Sequence, residues 1–302
     1  MKQFISLCIA CIAISAFAED LNLSEKLFKQ CEASVVLIDI AIKIDSSRVK
    51  HPELFQRIEA GIGRKLLNSY VSVGNGSGFF ISNTGYLITN FHVIADVVQP
   101  SKTKQYDDIA HSVISAAVFF QIPSSYVLRK NEAILINEDI ERIIKNSQFK
   151  AHVTTSKGEE FEGTPVVWDA ANDLGVIKLD LAPGTQTVAL RLGDSDFASI
   201  GENIYALGYP FQDYIKWIFR NAPSKMTITS GNITSLRHGE NSDIQHSAQI
   251  NPGNSGGPLL TTDGTVLGIN TMSIAGNIYY AIGVSNLKRW LAKNHLADIV
   301  NQ

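Results

Sequence analysis

The nine residues Asn251-Pro252-Gly253-Asn254-Ser255-Gly256-Gly257-Pro258-Leu259 set one serine hydroxyl among glycines. Glycine has the most backbone freedom to lose on ordering, so such a run points to a backbone held in a special shape around Ser255. Gly253 can take angles that aim its own N–H and that of Ser255 at one point, with Asn254 as a further donor. That is how the oxyanion of a tetrahedral acyl intermediate is stabilised. The chemistry on offer is therefore attack on a carbonyl, with nucleophile and electrostatic partner in one loop. Glycine-serine runs are also common in linkers. Here Ile244-Gln245 and Leu259-Leu260 flank the stretch, and Val266-Leu267-Gly268-Ile269 follows an Asp263-Gly264 turn signal, which places the loop between strands.

A serine is a weak nucleophile at its own pKa and needs a base to take its proton. Gly253 to Gly257 fits the G-x-S-x-G pattern of α/β-hydrolases, where the histidine follows the serine. The one histidine after Ser255 is His295, in an expected terminal helix. The base must then lie upstream, in the order His, Asp, Ser of trypsin-like enzymes. His92, in Thr89-Asn90-Phe91-His92-Val93-Ile94-Ala95, follows a strand pattern at Gly85-Tyr86-Leu87-Ile88 and is expected in a small loop. Asp173 opens the strand pattern Leu174-Gly175-Val176-Ile177-Lys178-Leu179. Histidines 51, 111, 152, 238, 246 and 295 lack the setting of His92 and are read as surface residues, and Asp169 does not abut the strand as Asp173 does.

With these residues in place, the chain resembles the protease domain of the Deg/HtrA family of trypsin-like serine proteases. Further matches in family order are Gly76-Ser77-Gly78-Phe79-Phe80-Ile81, Leu192-Gly193-Asp194-Ser195, Ala206-Leu207-Gly208-Tyr209-Pro210-Phe211 and Thr229-Ser230-Gly231-Asn232-Ile233-Thr234, spanning about Ser34 to Ser285. The resemblance implies that His92 is the general base, that Asp173 holds its tautomer, and that Gly253, Asn254 and Ser255 bind the oxyanion. Asn254 stands where many digestive relatives have aspartate, so activation by a newly cut N-terminus is not expected. By position, Ile250 should floor the S1 pocket, with Thr271, Met272 and Ser273 on its wall. No acidic residue is expected there, which favours a small or medium apolar P1 side chain. Tyr279 or Tyr280 would narrow the pocket if it points inward. An extended substrate would add a strand against Thr271 to Ile274.

Around these groups the rest of the chain reads as an all-β fold. The strand candidates are 34–44, 71–81, 86–91, 149–157, 160–168 and 174–180, then 203–208, 225–236, 244–249, 257–262, 265–275 and 278–284. They predict two six-stranded antiparallel barrels, over 19–190 and 191–302. A short helix over 21–30 precedes them. An amphipathic helix over 285–300, capped by Ser285 and burying Leu287, Trp290, Leu291 and Leu296, closes the chain. Two excursions leave the first barrel. One, over 45–70, has a helical pattern at Glu53 to Ile58; it is either a regulatory or oligomeric loop, as in the family, or a solvated one. The other, over about 97–147, has helical pieces at 107–120 and 137–144. Its Phe119, Phe120, Ile122, Tyr126, Val127 and Leu128 are too apolar for a solvated loop. They would bury it on its own barrel or make a lid or subunit contact.

Residues 1–18 read as a secretory signal, with Lys2, an apolar run from Phe4 to Phe17 and Ala16-Phe17-Ala18 before Glu19-Asp20. The run falls short of the roughly 20 residues that span a bilayer, so no membrane span is expected in the exported chain, in a periplasmic or extracellular setting. Cys8 and Cys11 leave with the signal, and Cys31 alone cannot form an internal disulfide. A net charge of −3 gives no support to a nucleic-acid partner. No cofactor or metal is expected, the partner is a polypeptide substrate, and a trimer would follow the family's habit. No PDZ domain is expected after the last strand. Two other classes fit less well: a protein-binding, chaperone-like module with suppressed catalysis, and a small-ester hydrolase.

Overall fold

The first strand shows why the chain closes into barrels. In β1 (Val35–Lys43), alternate side chains leave on opposite faces. Val36, Ile38 and Ile40 join one apolar cluster, with Phe80, Leu87, Val153 and Ile177, while Val35 and Leu37 join another. A strand buried on both faces reads as a near-continuous apolar run, and β1 is one, interrupted by the buried Asp39. The first cluster fills a barrel. The second lies between this barrel and the next, and also takes in Tyr205, Leu207, Ile269 and Trp290. Fully burying side chains of the size of Phe79, Phe80 and Tyr205 stabilises the fold by about 1.5–3 kcal/mol each.

The computed structural model describes residues 23–63, 65–99, 115, 129–146, 148–212, 224–239, 242–274 and 278–300. Expectations for residues 1–22, for His111, for the helical piece at 107–120 and for the apolar run from Phe119 to Leu128 lie outside them. A helix over 23–31, α1, leads into the first barrel. The barrel continues with β2 (Tyr70–Phe80), β3 (Tyr86–Thr89), β4 (Phe149–Thr154), β5 (Glu160–Asp169) and β6 (Leu174–Leu179), closed in the order β1-β2-β3-β6-β5-β4. The second barrel contains β7 (Asn203–Gly208), β8 (Thr227–Arg237), β9 (Asp243–His246), β10 (Pro258–Thr261), β11 (Val266–Ile274) and β12 (Ile278–Gly283). It closes in the order β10-β11-β12-β9-β8-β7. Both barrels are antiparallel throughout, as the strand pattern predicts. Among the described residues no helix is long and apolar enough to cross a membrane.

The two excursions from the first barrel meet. Helix α2 (Pro52–Ile62), from the first, packs against a helix over Lys130–Asn146 from the second. Leu54, Phe55 and Ile58 pack with Ile136, Ile140 and Ile143, beneath the end of β1 at Ile42. Asp139 is fully buried at this junction and accepts hydrogen bonds from the N–H groups of Lys50 and His51, both at 2.9 Å, and from Arg142. One carboxylate thus ties the two excursions into a single helical lobe.

Three expectations are corrected. Residues 91–98 form a helix, α3 (Phe91–Val98), so His92 sits on its first turn and not in a loop. The terminal helix (Val284–Lys293) begins after Gly283, and Ser285 is inside it. Its hydroxyl donates to Asp194 at 2.7 Å and accepts the N–H of Ser195 at 2.9 Å, so it ties the helix to the start of the second half instead of capping it. His246 is 1 % exposed, not on the surface, because β9 alternates and sends Ile244 and His246 into the barrel. There it lies beside Tyr279, the inward-pointing member of the tyrosine pair, at 6.0 Å between ring centroids.

Candidate active site

The site is assembled across the two barrels. A helix leaves its first N–H groups without intrahelical partners. On α3 that of His92 donates to Asp173 Oδ1 at 3.0 Å. The imidazole then adds a second contact, with Nδ1 at 3.0 and 2.9 Å from the two carboxylate oxygens. An ionised carboxylate only accepts, so Nδ1 carries a proton, and in the neutral imidazole the lone pair is then on Nε2. Asp173 itself precedes β6 in the left-handed region, at φ 52°, a conformation uncommon for any residue but glycine. Its carbonyl is held there by Asn90 Nδ2 at 3.0 Å. Burial pushes the Asp173 carboxyl up. The hydrogen bond and charge of His92, with the Thr271 hydroxyl and the His92 N–H, outweigh this and hold it below the usual carboxylate range.

Thr271, on β11, uses both of its ends. Its hydroxyl donates to Asp173 Oδ2 at 2.7 Å, and its carbonyl accepts the Ser255 hydroxyl at 2.9 Å. Among the described residues that is the hydrogen bond Ser255 Oγ makes, and it makes none to His92. Both residues nevertheless line one cavity of about 270 Å³, with Asn75, Pro252 and Gly253. Ser255 is thus held on the threonine side of a shared cleft.

The loop before Ser255 can be followed peptide by peptide, since in a trans peptide C=O and N–H point opposite ways. The Pro252 carbonyl accepts from Phe211 N at 2.9 Å, which turns the Gly253 N–H away from Phe211. The Asn254 carbonyl accepts from Gly257 N at 3.0 Å, which does the same for the Ser255 N–H. Neither N–H is spent on another described group. The Asn254 N–H, by contrast, donates to Asn251 O at 2.9 Å. Two of the three expected oxyanion donors therefore remain available. This path requires glycine at 253, where φ is 101° and a Cβ would lie 2.4 Å from the Tyr209 carbonyl.

The expected S1 residues are dispersed. Ile250 is 4 % exposed in the core of the second barrel and lines neither cavity beside Asp173 or Ser255. Thr271 and the half-exposed Met272 line a cavity of about 440 Å³ next to Asp173, with Ile274 and Tyr280; Ser273 is exposed. Acidic Asp243 also lines that cavity, 3.4 Å from Arg237. Beyond Ile269, β11 pairs with β12 but not with β10. Its outer edge there has no strand beside it among the described residues. The rival Asp169 serves a turn, accepting from Ala171 N and Asn172 N. The roles of Asn90 and of the Thr271 hydroxyl were missed from the sequence. A polar Asn90 shortly before the apolar pair Val93-Ile94 is the signal the sequence offers.

Residues 76–269 match the trypsin-like peptidase domain family. The chain is 31 % identical over 234 residues to serine protease HTR4 of Rattus norvegicus, covering 71 % of this chain and 43 % of that one. It is 28 % identical to serine protease HTRA4 of Mus musculus, over 82 % of this chain and 38 % of the relative, and 29 % identical to serine protease HTRA3 of Homo sapiens, over 85 % and 44 %. The chain thus spans less than half the length of these relatives.

Proposed function

The chain belongs to the trypsin-like peptidase family, a family of serine endopeptidases, and is related to the HtrA serine proteases; on that footing we propose that it cleaves unfolded proteins or peptides through an acyl-enzyme on Ser255. The single observation that carries this reading is the pairing of His92 with Asp173 on the rim of the cavity that Ser255 also lines. Rotation about one bond would take the Ser255 hydroxyl from the Thr271 carbonyl toward Nε2 of His92. His92 then removes its proton as the oxygen attacks the scissile carbonyl, and returns it to the leaving amine. Asp173 keeps the tautomer and stabilises the imidazolium, while the N–H groups of Gly253 and Ser255 receive the oxyanion. Water repeats the sequence in reverse roles to release the acid. A peptide strand would lie along the open edge of β11. The sequence of residues 1–18 supports export, so the working compartment is periplasmic or extracellular.

The contact of Ser255 with Thr271 supports a second reading, a chaperone-like binder whose catalysis is suppressed. The two separate on residues 19–302 treated with a fluorophosphonate and mapped by mass spectrometry, beside a casein digest. Labelling at Ser255 with casein cleavage is the expected result. Casein binding without labelling or cleavage would replace the first reading by the second.

A further inference from the structure

Ser77 is a polar residue in the glycine-rich part of β2, and it is completely buried. The first barrel here reaches into the loop of the second. Ser77 Oγ donates to the Gly253 carbonyl at 2.6 Å and accepts the N–H of Tyr209 at 2.9 Å. Its own N–H donates to the Ser255 carbonyl at 2.7 Å, and its carbonyl accepts the hydroxyl of Thr89 at 2.8 Å. Every hydrogen-bonding group of the residue is engaged, and two of them grip the nucleophile loop.

The two gripped carbonyls bracket the oxyanion donors. Four consecutive peptides run from Pro252 to Gly256. The first and third carry the Gly253 and Ser255 N–H groups, and their carbonyls are held from within the second barrel, by Phe211 and Gly257. The second and fourth are held by Ser77 alone on the carbonyl side. Fixing alternate planes fixes the torsions at Gly253, Asn254 and Ser255, because each residue joins two of them. Glycine at 253 has no side chain to resist rotation. Without the Ser77 hydroxyl the second plane would lose its outside restraint on the carbonyl side.

We infer that Ser77 is a positioning residue, whose hydroxyl holds the Gly253 and Ser255 N–H groups converged on the oxyanion across the barrel interface. This rests on the acyl-enzyme reading above and extends it to a residue that touches no substrate. Loss of one oxyanion donor lowers kcat by about 10²–10³-fold, and a displaced donor should fall toward that range.

The test compares wild type with Ser77→Ala, whose backbone N–H still reaches Ser255, and with Ser77→Cys, which offers a weaker donor. Three quantities are read on each: kcat and KM on a peptide, affinity for the matching peptide boronate, and Tm. In Ser77→Ala, kcat should fall by about 10- to 100-fold with KM nearly unchanged, and boronate affinity should fall with kcat. Ser77→Cys should lie between, and carries the comparison if the alanine variant does not fold. A lowered Tm with kcat and boronate affinity intact, or kcat, KM and Tm moving together, would overturn the role. Wild-type protein that neither cleaves peptides nor captures the boronate would overturn the acyl-enzyme reading as well, so the two failures are distinct.

Discussion

The two ends of the site are built to different standards. At the His92 end, the backbone and ring of the histidine both bind Asp173, Thr271 adds a hydroxyl, and Asn90 holds the aspartate's backbone. At the Ser255 end, the hydroxyl makes one hydrogen bond, to Thr271. On the proposed mechanism a base must already hold one tautomer when the reaction begins, whereas a serine hydroxyl needs one rotation. Preorganisation is concentrated where several groups must agree, and the adjustable part is the smallest side chain.

The largest effect is expected at the adjustable end. Ser255→Ala should lower kcat by about 10⁶-fold while peptide binding persists; wild-type turnover by a rigorously purified variant would remove Ser255 as nucleophile. At the fixed end, Asp173→Asn should lower kcat by about 10⁴-fold, since an amide can present the wrong partner to Nδ1. A loss below tenfold would show that α3 alone orients the ring.

The barrels also differ in their response to acid. Burial among apolar groups pushes His246, in the second barrel, down to about 4 from its ordinary 6.5. The folded form then binds fewer protons than the unfolded chain between these values, so stability falls as pH drops from about 6.5 toward 4. The loss reaches about 3 kcal/mol, and none is present above pH 7. Denaturant melts of His246→Phe should be flatter over this window. An unchanged pH slope would mean that the imidazole escapes its burial. Asp173, held low, adds loss only as pH falls below the ordinary carboxylate range and through its lowered value.

The smallest effect is expected at Thr271, the residue both ends share. Thr271→Val removes the hydroxyl from Asp173 and keeps the carbonyl for Ser255. It should lower kcat by up to about tenfold and stability by about 1 kcal/mol. Full activity with full stability would show that the hydroxyl is redundant.

Much of this was legible because strands covered on both faces read as apolar runs bounded by turn signals: β1, β6 and β11 are found where those runs place them. The histidine, aspartate and serine stood out because each adjoins a strand end. Other features depend on what lies across space. The helix at His92 is completed by an aspartate from another hairpin, and Ser285 is recruited by Asp194. His246 was misplaced because its inward face is set by register against Ile233 and Tyr279. Ile250 is assigned to S1 by its offset from Ser255, and an offset carries no information about the depth at which that side chain is buried.

His92 and Asp173 belong to the first barrel, and Ser255 to the second. During synthesis His92 and Asp173 leave the ribosome well before Ser255, and the strands that close the second barrel come later still. A growing chain therefore holds no complete set of reactive groups, however well its first barrel has folded. On the proposed acyl-enzyme mechanism, hydrolysis would have to wait for the docking of the barrels, so the chain would stay inert throughout its synthesis.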